Sequence, residues 1–127
     1  MNYNLERFLL AQARFYKQAE KELRNGHKDS CWIWFIFPQE RGLGRSKMSD
    51  YFGLEGVEEA KAYYENDLLR ERLLHMCDLL LAIKGKSIQE IVAWDDIKVR
   101  SCMEIFYEAT GNQKFKDVLD KYFFLEI

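Results

Sequence analysis

The sequence predicts a mainly α fold, a compact single-domain bundle over residues 1–127 with about six to eight helices, some of them short. Three observations predict it. Apolar residues recur at steps of three and four in several separate segments, the period of one helix face. No segment shows clear strand alternation, and a lone strand would leave its backbone groups unpaired. Cap residues and glycines fall where such helices would start and stop.

The elements follow in order. From Asn4 the stripe Leu5, Phe8, Leu9, Phe15, Tyr16, Ala19 and Leu23 marks a long helix, with Asn4 as its cap and Gly26 as the left-handed residue past its end. Arg7, Arg14, Lys17, Lys21 and Arg24 fall on the other face, which reads as solvated. Residues 31–37 are all apolar and read as a short buried helix, capped by Ser30 or Asp29 and ended by Pro38. Ser46 caps a short turn through Tyr51. Residues 57–65 place Ala60, Tyr63 and Tyr64 on one helical face. Asp67 is the expected cap of the next helix, whose wide stripe of Leu68, Leu69, Leu73, Met76, Cys77, Leu80 and Leu81 ends before Gly85. Ser87 and Glu90 have capping-box spacing for a short helix to Ala93. A second long segment begins near Asp95 or Asp96 and carries Val99, Met103, Phe106 and Tyr107 towards Gly111. Asn112 opens a last helix with Phe115, Val118, Leu119 and Tyr122 on one side.

Composition narrows the function classes. Hydrophobic residues make up 48% and charged residues 31%, the balance of a soluble globular chain, and aromatics at 15% predict a core built on rings. A net charge of −2 with interspersed signs offers no basic stripe for a phosphate backbone, so no nucleic-acid partner is expected. Cys31, Cys77 and Cys102 are odd in number and lie in apolar runs, which fits a reduced, cytoplasmic setting. The N-terminus lacks the pattern of a signal peptide, and no apolar run approaches the roughly 18 residues of a membrane span. No membrane partner is expected.

Three stretches could carry chemistry. Trp32 and Trp34 would point about 160° apart on a helix, so one could be core while the other lines a cleft as a platform for a planar ligand. Both could equally be core anchors. The turn Gly42-Leu43-Gly44-Arg45-Ser46 has the small residues and the cation to approach an anion, although it is not a P-loop and such turns also occur without ligands. Asp95-Asp96-Ile97-Lys98-Val99-Arg100-Ser101 gathers acid, base and hydroxyl at a helix start. There a carboxylate could activate water or orient a ribose, or Asp96 could simply pair with Arg100 four residues on. His27 and His75 have no ligand-spaced partners, so neither a metal nor a cofactor is expected.

Several motifs coincide in order: Leu5-Glu6-Arg7-Phe8 with Ala11-Gln12, Trp32-Ile33-Trp34-Phe35-Ile36-Phe37-Pro38-Gln39, Gly42-Leu43-Gly44-Arg45-Ser46, and Glu59-Ala60-Lys61-Ala62-Tyr63. Leu69-Arg70-Glu71-Arg72-Leu73 and the run from Asp96 to Phe106 continue them. With these the chain resembles the bacterial domain-of-unknown-function family numbered 1810 over nearly its whole length. The resemblance implies a small, mainly helical, cytoplasmic protein without an assigned activity. Against the family pattern this is a divergent member, with Cys31 in place of His, Cys102 in place of Ser and Glu104 in place of Thr. The family's C-terminal extension is also missing, since the chain stops at Ile127. A looser likeness to small helical N-glycosidases acting on ribosylated metabolites implies acidic residues and a Trp around a ribosyl group.

These readings combine into one expectation. A nucleotide-like or ribosylated small molecule would bind between the Trp-rich segment, the glycine turn and the Asp96 helix. Trp32, Trp34, Gln39, Arg45, Ser46, Lys98 and Ser101 would line the site, with Asp96 the candidate catalytic residue. The alternatives are an interaction module without catalytic activity, its aromatics core or interface, and an N-glycosidase-like hydrolase. The ligand reading needs Arg45, Asp96 and one indole on one concave surface, whereas the interaction reading needs a filled centre and an exposed apolar patch.

Overall fold

The computed structural model describes residues 2–124. The elements are α1 (Glu6–Arg24), α2 (Ile33–Ile36), α3 (Lys47–Phe52), α4 (Val57–Glu65), α5 (Asp67–Ala82), α6 (Ile88–Val92), α7 (Asp96–Thr110) and α8 (Gln113–Tyr122), with a 3-10 turn at Ala93–Asp95. Among the described residues there is no strand, only an isolated bridge between Glu40 and Leu54. The mainly α expectation holds. No helix among these residues is long and apolar enough to cross a membrane.

The five longer helices form the frame: α4 packs on α5 and α7, α8 on α5 and α7, and α1 on α5. A line of rings ties four of them together. Phe8 of α1 meets Tyr63 of α4 at 5.1 Å between centroids, Tyr63 meets Phe106 of α7 at 5.3 Å, and Phe106 meets Phe115 of α8 at 5.7 Å. Aromatic side chains bury large areas, and these tilted and edge-on contacts add to that burial. The short helix α2 sits inside this frame against α1, α3 and α7, with Ile33, Phe35 and Ile36 all buried. The Trp-rich run is therefore helical and central, but the helix is shorter than the expected 31–37: Trp32 and Phe37 take its cap positions and Cys31 is exposed.

Several local readings hold. The Ser46 side chain accepts from the Ser49 amide at 3.0 Å, Ser87 and Glu90 make a complete capping box, and Asn112 accepts from the Lys114 amide at 2.9 Å. Gly26 and Gly111 take φ of +74° and +71° just past helix ends, where a Cβ would be strained.

Others are corrected. Asn4 does not cap α1; Leu5 occupies the cap position with helical backbone and no side-chain bond, while the Asn4 carbonyl accepts from Arg7. Asn66 rather than Asp67 caps α5, because the Asn66 side-chain Oδ1 receives the Leu69 amide at 3.0 Å and Asp67 turns to Arg70. Neither Ser30 nor Asp29 caps α2: Trp32 holds the cap position without a side-chain bond, the Ser30 hydroxyl donates to Glu22 and the Asp29 carboxylate lies on His27. Arg7 is not solvated. Its guanidinium lies 2.9 Å from the Glu59 carboxylate, both side chains are buried, and it also donates to the Tyr51 and Gly53 carbonyls. Phe15 and Leu68, placed by periodicity on core stripes, are exposed, because a stripe wider than its partner helix leaves an edge uncovered.

Candidate functional site

The Trp-rich segment is anchored from below by one carboxylate. Glu22, on the inner face of α1, accepts from the Asp29 and Ser30 amides at 2.7 and 2.9 Å, from the Ser30 hydroxyl at 2.6 Å, from the Trp32 indole at 2.9 Å and from Gln18 at 2.8 Å. Burial alone would raise its carboxyl. The donors, led by Ser30, Gln18 and Trp32, outweigh burial and bring it down to about 2. Trp32 is fully buried, with the Lys28 ammonium 5.2 Å from its ring, and Lys28 continues to Asp95 at 3.0 Å. Trp34 is half-buried; its indole nitrogen is buried, and no described residue accepts from it. Gln39 is buried and donates to the Ile33 and Phe37 carbonyls, closing the end of α2.

The glycine turn meets the outer side of α7. A Cβ on Gly44 would stand 2.3 Å from the Ser49 hydroxyl and 4.0 Å from the Lys98 side chain, so the turn packs closely on both. Lys98 lies 3.4 Å from Asp95, and the Ser101 hydroxyl accepts from the Glu40 amide at 3.4 Å. Ser46 is engaged as the α3 cap. Arg45 is exposed, and nothing among the described residues pairs with it. The structure thus brings Lys98 and Ser101 to the turn, while Trp32 and Gln39 lie beneath in the core.

Asp96 faces elsewhere. Its Oδ2 accepts from Gln89 at 2.8 Å, and Arg100, expected to pair with it, lies by Glu104 at 3.4 Å instead. Adjacent positions on a helix diverge by about 100°, which sends Asp95 to Lys28 and Lys98 and leaves Asp96 on another face. That face opens into a cleft of about 450 Å³ between the start of α6, the first turns of α7 and the end of α8. Lys86, Arg100 and Lys121 line it against one carboxylate, Asp96, with Ile97 and Tyr122 as apolar surface. Lys121 donates to the Leu81 carbonyl at 2.7 Å at the end of α5, and Lys86 to the Gly26 carbonyl at 2.9 Å. Burial, then the nearby Lys84 charge, pulls the Lys121 ammonium below its ordinary value. On a chain of net charge −2, this is a cationic cleft.

A second cleft of about 340 Å³ holds the buried Arg7–Glu59 pair, with Arg41 against Glu55 and Asp50 at its rim. Its two cations are each paired with a carboxylate. Among the described residues no group of His, Cys, Asp and Glu could hold a metal ion.

A family model described as a protein of unknown function, DUF1810, matches residues 2–126. The chain belongs to the DUF1810 family. A crystal structure of the conserved hypothetical protein Rv1873 from Mycobacterium tuberculosis is similar to it, with a TM-score of 0.93 and 44% identity, over 95% of this chain and 88% of that one. No curated protein matches the chain.

In this DUF1810 chain the cationic cleft was missed from sequence, apart from Asp96 itself. Ser87 entered the sequence reading only as part of a capping pattern and Tyr122 only as a core position of the last helix, while Lys86 and Lys121 carried no signal. No spacing links α6 to α8, which lie about 30 positions apart and meet only through the packing of the longer helices.

Proposed function

We propose that this DUF1810 chain binds a small, anionic, ribosylated or nucleotide-like molecule in the Asp96 cleft. The observation that supports this best is the charge and shape of the cleft: three cations and one carboxylate around about 450 Å³, within the range of small-molecule sites. Arg100 suits a phosphate group through its planar fork of donors. One oxygen of Asp96 is held by Gln89 at 2.8 Å, which fixes the carboxylate for a sugar hydroxyl. The reading keeps Asp96 from the sequence-based site and replaces Arg45 with Arg100. Asp96 is the one carboxylate among the residues lining the cleft, which favours binding over hydrolysis by paired carboxylates.

The test is thermal unfolding with ribose 5-phosphate and with adenosine monophosphate. A ligand at about 100 times its Kd stabilises by roughly 2.7 kcal/mol, about 10 °C for a chain of this size. Arg100→Ala and Asp96→Asn should each abolish most of that shift. A well-folded protein with no shift at millimolar concentrations of either compound would overturn the proposal.

A second reading has its own observation. Leu10, Phe15, Met48 and Tyr51 are exposed along a groove between α1 and α3, floored by Phe35 and Phe52, which supports an interaction module. A DUF1810 chain that is silent to both compounds and captures a partner, with capture lost on Phe15→Ser, would favour this reading.

A further inference from the structure

The most exposed large apolar side chain among the described residues is Trp94, at 90%, and Ile97 three positions later is 61% exposed. Water-facing indoles are costly, and this one is held out by an unusual backbone. Ala93 adopts φ +53° and ψ −125°, the conformation of the first central residue of a type II′ turn, where glycine is the residue without strain. Strained non-glycine positions persist where the surrounding structure over-determines them, and they cluster at ligand clamps. The surrounding structure here is firm: the capping box fixes α6 on one side, and Asp95 is tied to Lys28 and Lys98 on the other.

The position of Trp94 relative to the cleft follows from the turn. In the 3-10 segment and the first turn of α7, side chains three apart are neighbours. Trp94 does not itself line the cationic cleft; it precedes by three positions Ile97, which lines it with Asp96 and Arg100, so the indole is placed at the cleft's edge by this spacing. An exposed indole beside a cleft of three cations matches a ligand with an anionic group at one end and a planar ring at the other.

We infer that Trp94 and Ile97 form the ring-binding rim of the Asp96 cleft, and that its ligand carries a planar aromatic ring beside its anionic group. This rests on the reading of the cleft given above and adds the ring to it. Stacking on an aromatic side chain tolerates many rings, because every base has a π-face, so the rim selects for planarity rather than for one base.

Ribose 5-phosphate and adenosine monophosphate share the sugar and the phosphate and differ by the ring, which separates the two readings. Calorimetric titration should show adenosine monophosphate binding roughly 10-fold or more tighter than ribose 5-phosphate, the scale of one stacking contact. It should also quench indole emission, because Trp32 is buried and Trp34 half-buried while Trp94 faces solvent. Trp94→Ala should erase both the quench and the ring advantage and leave ribose 5-phosphate affinity unchanged; Trp94→Phe should keep part of the advantage. Trp94 makes so little contact that neither substitution threatens folding. Equal affinities for the two compounds, or a ring advantage that survives Trp94→Ala, would overturn the inference while the cleft reading stands. Binding of neither compound would overturn both.

Discussion

Glu22 shows how much one side chain can organise. Five donors from α1, the following loop and Trp32 converge on it, so its carboxylate links the first helix to the central aromatic run. Its folded-state pKa of about 2 lies below the ordinary 4.5, so the stabilisation it supplies is fully present above about pH 4.5 and is lost as pH falls through about 2. A shift of that size corresponds to about 3 kcal/mol. Glu22→Gln should therefore lower neutral-pH stability by about 2–3 kcal/mol and flatten the acid limb of a plot of stability against pH. Urea titrations at pH 7 and pH 3 check this; an unchanged acid limb would show that the carboxylate charge is not what holds the loop. The buried Arg7 makes a related point, since a cation assigned to water by periodicity is held inside by Glu59 and three carbonyls.

Elements add a second kind of constraint, set by backbone geometry. The two glycines of the 42–46 turn have different structural reasons. Gly42 has φ +98° with open space around it, and Gly44 lies where a Cβ would press into Ser49 of α3. Gly44→Ala should destabilise by about 1–3 kcal/mol through that overlap. Ala93 is the converse case, a side chain in a conformation suited to glycine, and Ala93→Gly should stabilise by about 1 kcal/mol by releasing strain. Thermal unfolding of the two variants should therefore shift in opposite directions, by a few degrees each. A destabilised Ala93→Gly would mean that the Ala93 methyl contributes packing that outweighs its strain. The turn that resembles an anion cradle thus has a sufficient packing explanation, and the strained position lies at the α6–α7 junction.

For the molecule as a whole, the ring contacts from Phe8 through Tyr63 and Phe106 to Phe115 join α1, α4, α7 and α8 in one core. The single-domain expectation then has a direct consequence: far-ultraviolet circular dichroism and indole emission should report one coincident unfolding transition. Two separated transitions would show independent units. Most of this architecture was legible in the sequence, from the α4 bounds and the Ser46, Ser87 and Asn112 caps to the helical state of the Trp-rich run. Cap positions slipped at Asn4, where α1 starts with no side-chain cap at all, and at Asp67, where the preceding Asn66 takes the Leu69 amide. The proposed cleft was less legible: of the eight candidate residues read from sequence, Asp96 alone lines it.

The chain's sequence was enough for its helical class and most helix ends, because periodicity, capping and turn chemistry act over a few residues, and its motif runs carried the resemblance to DUF1810 that the family model bears out. Which way each polar side chain faces needed the packed structure. Asp95 and Asp96 are neighbours in sequence, yet one joins Lys28 and the other enters the cleft, since a helix turns by about 100° per residue and packing decides what each face meets. The burial of Arg7 and Trp32, the exposure of Trp94 and the gathering of Lys86, Arg100 and Lys121 all depend on contacts between distant segments, which no local pattern encodes.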